Sequence, residues 1–359
     1  MNSYRYIHKD FKLDNRSVTG YNELINKVAE QYPEHLSFLQ KWFDKQTEIE
    51  VQTSGSTGMP KTIKVKKQYL VNSALKTIDY FKLFPKTKAL LNLSSDFIAG
   101  KLMWIRAFTG GWHLSVSSPR NEAIAGILSK QKFDFGAMVP VQAYHNLSLL
   151  NQFQILIIGG GAVSTELQNK LQNLSARIFA TYGMTETLTH IAVKPLNTKA
   201  DDTFNNKLYK QAYTVLKDIH IETDMRGCLV VKAPGITDKK LITNDLVKIL
   251  DPKHFLWQGR YDNIVNSGGI KLIPEQIEQK LQTFIKNEFF VAGIPDAKLG
   301  EKLILIIESS TRNIDIPDFD KLLNNYERPK EIYFVKEFIR TASGKIKRKA
   351  TINKIINSL

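Results

Sequence analysis

QILIIGGGAVSTELQNKLQNLSARIFATYGMTET, residues 154–187, is the stretch whose reading decides the fold. Gln154-Ile-Leu-Ile-Ile-Gly159 has the length and β-branched content of a buried strand. After Gly159-Gly-Gly161, Leu167, Leu171 and Leu174 fall at helical spacing, and Thr165 with Gln168 suggests a capping box. Ala176-Arg-Ile-Phe-Ala-Thr181 reads as a second strand. Strand, glycine turn, helix and strand make a βαβ unit, which implies a parallel sheet. Ligands on such sheets gather where strands end and helices begin, and Tyr182-Gly-Met-Thr-Glu-Thr187 lies at such an end.

Working outward, the pattern changes near residue 260. Phe255-Leu-Trp-Gln-Gly-Arg-Tyr-Asp262 reads as a strand running into a turn. Pro274 and Glu275 then open a helix expected to place Ile277, Leu281, Phe284 and Ile285 on one face. Leu303-Ile-Leu-Ile-Ile307 is another strand, and Asp318 to Asn325 a short helix. The expectation is an α/β protein: a large N-terminal domain, residues 1–260, with mainly parallel sheets flanked by helices, and a small mobile α+β C-terminal domain, residues 261–359. The linker between them is a turn, which permits relative motion.

Composition narrows the function classes. Fifty Lys and Arg against 35 Asp and Glu leave a net charge of +15 over 359 residues. That excess admits a nucleic-acid binder, a membrane-surface protein or an enzyme for polyanionic small molecules. The single cysteine, Cys228, can form no internal disulfide, which fits a reducing cytoplasm and excludes a thiolate zinc site. The seven histidines show no HxxxH or HxH pairing, and no apolar run approaches the ~18–20 residues of a membrane span. The N-terminal residues lack the apolar stretch of a signal peptide, so a cytoplasmic location is expected.

Thr53-Ser-Gly-Ser-Thr-Gly-Met-Pro-Lys-Thr62 is the strongest local motif. Its backbone N–H groups and the hydroxyls of Thr53, Ser54, Ser56 and Thr57 can donate to phosphate oxygens, and Lys61 adds positive charge. It is not a Walker loop, because Pro60 precedes the lysine. Taken alone it is either a phosphate loop or a solvated linker.

The segment TSGSTGMPK resembles the phosphate loop of the adenylate-forming superfamily, which includes acyl-CoA synthetases, luciferases and adenylation domains. Further segments resemble that superfamily in its order. Tyr182-Gly183-Met-Thr185-Glu186 is similar to its Y-G-x-T-E segment. By that resemblance Thr185 bonds the α-phosphate or acyl carboxylate, Glu186 is the metal ligand for Mg²⁺, and Tyr182 stacks on adenine; otherwise the segment is a tight turn. Gly159 and Gly160 resemble the glycine turn beside the adenine and acyl pocket. Thr243-Asn-Asp245 stands for T-G-D, with Asp245 on the ribose hydroxyls and Arg260 on ribose or phosphate. Asp262 matches the hinge, and Gly269 and Lys271 lie in a segment that resembles the coenzyme A side of the small domain. Arg340-Thr-Ala-Ser-Gly-Lys345 resembles the C-terminal motif whose lysine enters the site during adenylation. An ammonium there stabilises charge building on the phosphoryl oxygens. Thr62 and Asn244 depart from the glycines usual at their positions, and neither change removes a charged group.

The resemblance implies ATP, Mg²⁺ and coenzyme A acting on a small-molecule carboxylic acid, with no nucleic-acid partner and no membrane span. It leaves oligomeric state open, a homodimer being one option. Phe97 aligns with the gate of the acyl pocket. Arg106 falls where o-succinylbenzoate–CoA ligases carry a basic residue, whose charge would meet the substrate's spare carboxylate; the alternative is a structural ion pair. Only 52 residues precede the phosphate loop, which resembles the short ligases of that kind in menaquinone biosynthesis. No carrier domain follows residue 359, which favours free coenzyme A. Competing readings are another aryl- or fatty-acyl-CoA ligase, or a basic nucleic-acid-binding protein. The cluster of eight basic against two acidic residues over 330–354 suits the last, although aromatic interleaving there is thin.

Overall fold

The computed structural model describes residues 6–18, 20–52, 62–200, 206, 208–341 and 346–356. Its deciding stretch forms the strand Phe153–Ile158, the helix Thr165–Leu171 and the strand Arg177–Gly183. The two strands pair in parallel, Ile155 opposite Arg177 and Ile158 opposite Ala180. One local expectation is corrected. The helix cap is Ser164, whose extended backbone lets its Oγ accept from the Leu167 N–H at 3.1 Å. The Thr165 hydroxyl instead donates to Gln282 Oε1 at 2.6 Å, reaching the smaller lobe.

Parallel pairing continues from Phe153–Ile158 through Phe133–Met138, Lys88–Leu91 and His113–Val116 to the short strand Lys12–Leu13, outside which Arg16–Ser17 forms an antiparallel edge. Side chains alternate between two buried faces, as a strand's period of two requires. Phe135, Ile155, Ile157 and Phe179 pack with the helices Lys67–Phe81 and Ile98–Gly110. Leu156, Ile158 and Ile178 pack with the helices Asn121–Leu128 and Thr165–Leu171 on the other face. Burial on both sides explains the near-continuous apolar runs.

Beyond Arg177–Gly183 the same sheet becomes antiparallel. It runs through His190–Pro195, Tyr213–Val215, His254–Arg260, Leu241–Asp251, Cys228–Lys232 and His220–Thr223. A separate sheet joins Ile270–Leu272, Val265–Ser267, Gly300–Glu308 and Phe289–Asp296, with Glu331–Val335 parallel to Gly300–Glu308. Ile277, Leu281 and Ile285 are buried against it, but Phe284 is half exposed. The helix Pro274–Leu281 ends before Phe284, so the helical spacing no longer holds there. The helix expected from Asp318 is the single turn Phe319–Leu322, capped by Asp318. Among the described residues no helix is long and apolar enough to cross a membrane.

The helix Ile98–Gly110 lies tight against the loop before it. A Cβ on Gly100 would stand 2.2 Å from the Ser94 carbonyl oxygen. In an open helix alanine is favoured over glycine by about 1 kcal/mol, whereas overpacking against backbone costs about 1–3 kcal/mol. Gly100→Ala should therefore lower the thermal midpoint, by roughly 2–6 °C, when followed by circular dichroism. A raised midpoint would mean that the loop yields.

Candidate active site

The strands Phe153–Ile158 and Arg177–Gly183 run parallel, and Gly159, Gly160 and the residues 182–187 stand at their carboxyl ends. At the end of Phe153–Ile158, the Gly159 N–H donates to the Met138 carbonyl at 3.0 Å. A Cβ on Gly159 would sit 2.2 Å from Thr181 Oγ1, and Gly160 has φ +81°. Only glycine fits that crossing without strain. On the neighbouring strand Gly183 is equally constrained, since a Cβ there would meet the Thr189 carbonyl at 2.2 Å.

Thr185–Thr187 forms a single 3₁₀ turn between Gly183 and the returning strand. Thr187 is buried; its Oγ1 accepts from the Met184 N–H and faces the carbonyls of Met184 and Thr189. Thr185 is half buried and Glu186 exposed. No hydrogen bond or ion pair engages either side chain among the described residues. That leaves one hydroxyl and one carboxylate facing outward at a strand's carboxyl end.

Asp245 is the centre of a second group. It pairs across the sheet with Arg260, and its carboxylate is almost fully buried. The Tyr182 hydroxyl donates to Oδ2 at 2.7 Å, while Trp257 Nε1 and Arg260 Nη1 donate to Oδ1 at 3.2 and 3.3 Å. A carboxylate offers about four lone-pair sites, so one remains for a further donor. Burial, and then the charge and hydrogen bond of Asp245, hold the Tyr182 phenol well above its ordinary value. Burial alone would lower Arg260; the carboxylates of Asp245 and Asp262 outweigh it and hold the guanidinium above its ordinary value. By the resemblance Tyr182 stacks on adenine. Its hydroxyl is tied to Asp245 and its ring meets Phe255 edge-on, centroids 5.2 Å apart.

Asp262 sits in the 3₁₀ turn Tyr261–Asn263 and accepts from Arg260 Nη2 at 3.2 Å. Asn244 Nδ2 lies 3.2 and 3.1 Å from its two carboxylate oxygens, and Asn244 Oδ1 accepts from Arg226 Nη1 at 2.9 Å. The departure from glycine at 244 thus ties the turn to the large sheet. Trp257, Asn244 and Arg226 carried no role in the sequence reading. Asn244 at least stood out as a departure.

The two residues expected to face the acid belong to the helix Ile98–Gly110 and its N-cap. Phe97 is 52% exposed at its N-terminal end. Arg106 lies nine residues on, about 13 Å along the axis at 1.5 Å per residue, and is only 2% exposed. Its Nη2 donates to Thr189 Oγ1 at 3.3 Å and its Nη1 faces Met103 Sδ at 3.6 Å. Nε has no partner, and no carboxylate pairs with the guanidinium among the described residues. Burial pushes Arg106 down to about 9, so it keeps its charge at neutral pH.

Thr53, Ser54, Ser56, Thr57 and Lys61 lie outside the described residues, as does Lys345. The strands flanking the first group, Glu48–Gln52 and Thr62–Lys66, pair antiparallel with Gln52 opposite Thr62. Arg340 and Ile346 form an antiparallel bridge on either side of the second. Gly268 and Gly269, at φ +59° and +83°, make a two-residue turn between Ser267 and Ile270, the pattern of a type I′ hairpin. No hydrogen bond or ion pair among the described residues joins Gly269 or exposed Lys271 to the Asp245 group.

The family of AMP-binding enzymes matches residues 51–238, just over half the chain. The chain belongs to that family. Among curated relatives, the 2-succinylbenzoate–CoA ligase of Lactococcus lactis is 24% identical over 96% of this chain and 85% of its own. That of Oceanobacillus iheyensis is 27% identical over 82% and 67%. Among solved structures, an acyl-CoA synthetase (AMP-forming)/AMP-acid ligase II-like protein from Dyadobacter fermentans is 35% identical. It covers 90% of this chain and 95% of its own, with a TM-score of 0.59. The o-succinylbenzoate CoA synthetase of Bacillus subtilis, bound to its acyl-adenylate, is 18% identical and shares the fold at a TM-score of 0.72, over 87% and 73% of the two chains.

A magnesium ion arriving with nucleotide phosphates asks for one or two protein carboxylates. The described residues hold no group of three or more metal-ligating side chains, and exposed, unpaired Glu186 fits that smaller demand.

Losing a charged acceptor from a buried hydrogen bond costs roughly 1.5–3 kcal/mol. Asp245→Asn should weaken adenine-nucleotide binding roughly 10- to 100-fold by titration calorimetry, through the lost charge at the ribose-side acceptor. Unchanged affinity would remove Asp245 from the nucleotide site.

Proposed function

We propose that the chain is an AMP-forming acid–CoA ligase whose acid is o-succinylbenzoate. The carboxylate of the acid attacks the α-phosphorus of ATP; the new O–P bond forms as the bond to pyrophosphate breaks. The thiol of coenzyme A, losing its proton, then attacks the acyl carbon. A C–S bond forms, and AMP leaves with the electrons of the acyl C–O bond.

In this reading Asp245 accepts from the ribose hydroxyls through its remaining lone pair, and Arg260 contacts ribose or phosphate. Gly159 and Gly160 let the backbone approach the ligand, and Thr185 donates to the α-phosphate or the attacking carboxylate. The loop 53–61 cradles phosphates with Lys61. Glu186 would hold Mg²⁺, which when bound screens the phosphate charges. Lys345 supplies charge during adenylation, and the small lobe, residues 261–359, turns about Asp262 to exchange Lys345 for the Gly269 and Lys271 segment. Phe97 closes the mouth of the acyl slot.

Arg106 carries the choice of acid. A buried ion without a partner is destabilising by several kcal/mol, and a fatty or simple aryl acid would leave it so. An acid with two carboxylates places one at the α-phosphate and the other against the free N–H groups of Arg106. The names of the curated relatives support the same acid.

The reading is tested by pyrophosphate release across a panel of carboxylic acids, with and without coenzyme A. o-Succinylbenzoate should exceed benzoate and fatty acids in kcat/KM by at least tenfold, about the worth of one charge-assisted bond. Equal rates would contradict it. Lys345→Ala should slow acyl-adenylate formation by roughly 100-fold or more, while sparing thioester formation from supplied acyl-adenylate. Equal loss in both half-reactions would exclude the alternating role.

A further inference from the structure

We propose that Thr189, backed by His190 and Thr77, positions the Arg106 guanidinium and thereby sets the enzyme's discrimination between acids with one and two carboxylates. This rests on the reading of Arg106 given above.

Four contacts run in line. Arg106 Nη2 donates to Thr189 Oγ1 at 3.3 Å. Thr189 Oγ1 lies 3.4 Å from His190 Nδ1, His190 Nε2 lies 3.3 Å from Thr77 Oγ1, and Thr77 Oγ1 donates to the Ser73 carbonyl at 3.3 Å. Counting hydrogens fixes the directions. A carbonyl only accepts, so the Thr77 proton points to Ser73 and Thr77 accepts from His190 Nε2–H. His190 Nδ1 is then the acceptor, and the Thr189 proton points to it. The Thr189 lone pair is left for Arg106. His190 must be neutral for this order to hold. Its burial, and then the charge of Arg106, keep it well below its ordinary value. Both His190 and Thr77 are buried.

The backbone is independently set for this placement. Leu188, a buried branched residue, has φ +65° and ψ −36°, and the Thr189 N–H donates to the Thr187 carbonyl at 2.8 Å. That is a γ-turn of the rare, strained hand. Strain of this kind persists where the surroundings over-determine it. Gly183 completes the device, because only a missing Cβ lets the Thr189 carbonyl and His190 Cα approach to 2.2 and 2.6 Å of that position. The turn that carries Thr185 and Glu186 therefore also delivers the hydroxyl that aims Arg106. With Nη2 committed on one side and Nε unpaired, the guanidinium keeps N–H groups for a planar, two-oxygen partner.

Thr189 acts through Arg106 and is a positioning residue. The test compares the full-length wild type with Thr189→Val, Thr189→Ser and Arg106→Leu. KM and kcat are measured for o-succinylbenzoate and for a benzoate analogue lacking the second carboxylate, with melting curves for each protein. Thr189→Val should raise KM for the diacid about tenfold with little change in kcat or in the monoacid KM. Thr189→Ser should restore wild-type behaviour. Should Thr189→Val fold poorly, Thr77→Val breaks the same line at its far end and is expected to shift the diacid KM in the same direction. A diacid KM unmoved by Thr189→Val, while Arg106→Leu raises it, overturns the positioning role and leaves the diacid reading standing. If wild type itself treats the two acids alike, the diacid reading falls instead. The relay is then judged by nitrogen NMR of His190. A single neutral Nε2–H form in wild type that is lost in Thr189→Val supports it; the same form in both overturns it.

Discussion

An arginine buried with no carboxylate partner among the described residues is the constraint on which the proposed acyl site depends. The helix Ile98–Gly110 carries Arg106 inward from a half-exposed Phe97, and the chain turns back after Thr187 so that the Thr189 hydroxyl reaches the guanidinium. A dry cation of this kind is poorly explained as a device for stability, because replacing buried ions by apolar groups is often neutral or favourable. Its presence makes chemical sense when a ligand brings the opposite charge.

The group around Asp245 follows a different logic, in which the three charges of Asp245, Arg260 and Asp262 are already paired. Asp245 binds Tyr182, Trp257 and Arg260, and Arg260 in turn binds Asp262. These residues come from three strands and the turn that leaves the large sheet. Gly259 lets the small lobe approach there, for a Cβ would stand 2.6 Å from Glu275 Oε2 and from Ile273 Cγ2. In the proposed reading, nucleotide binding and lobe position share this one set of hydrogen bonds. Asn244, where glycine is usual, adds a further tie through Arg226.

Much of this was legible in the sequence because the signals were local. The parallel strands announce themselves as apolar runs, and the glycines stand where a Cβ would meet the Thr181 side chain (Gly159), where φ is positive (Gly160) or where backbone approaches backbone (Gly183). Asp245 and Arg260 stand in neighbouring motifs, and their register makes them cross-strand neighbours. What escaped is non-local or carried by backbone conformation. Nothing in a leucine signals the positive φ of Leu188, and alternation along His190–Pro195 cannot tell a buried histidine with two hydroxyl partners from plain core. Phe284 misled because a helical spacing was extended past the point where the helix ends. The excess of positive charge, compatible at first with nucleic acid, includes Arg260 in the Asp245 group and Arg106 buried in the helix Ile98–Gly110.

The most direct measurement is equilibrium binding, with no turnover, of o-succinylbenzoate and of its analogue lacking the second carboxylate to the same protein. Titration calorimetry should give a dissociation constant for the diacid roughly 10- to 100-fold lower, the worth of one buried charge-assisted pair. Equal affinity for the two acids would contradict the assignment of Arg106 and, with it, the account of the acyl site.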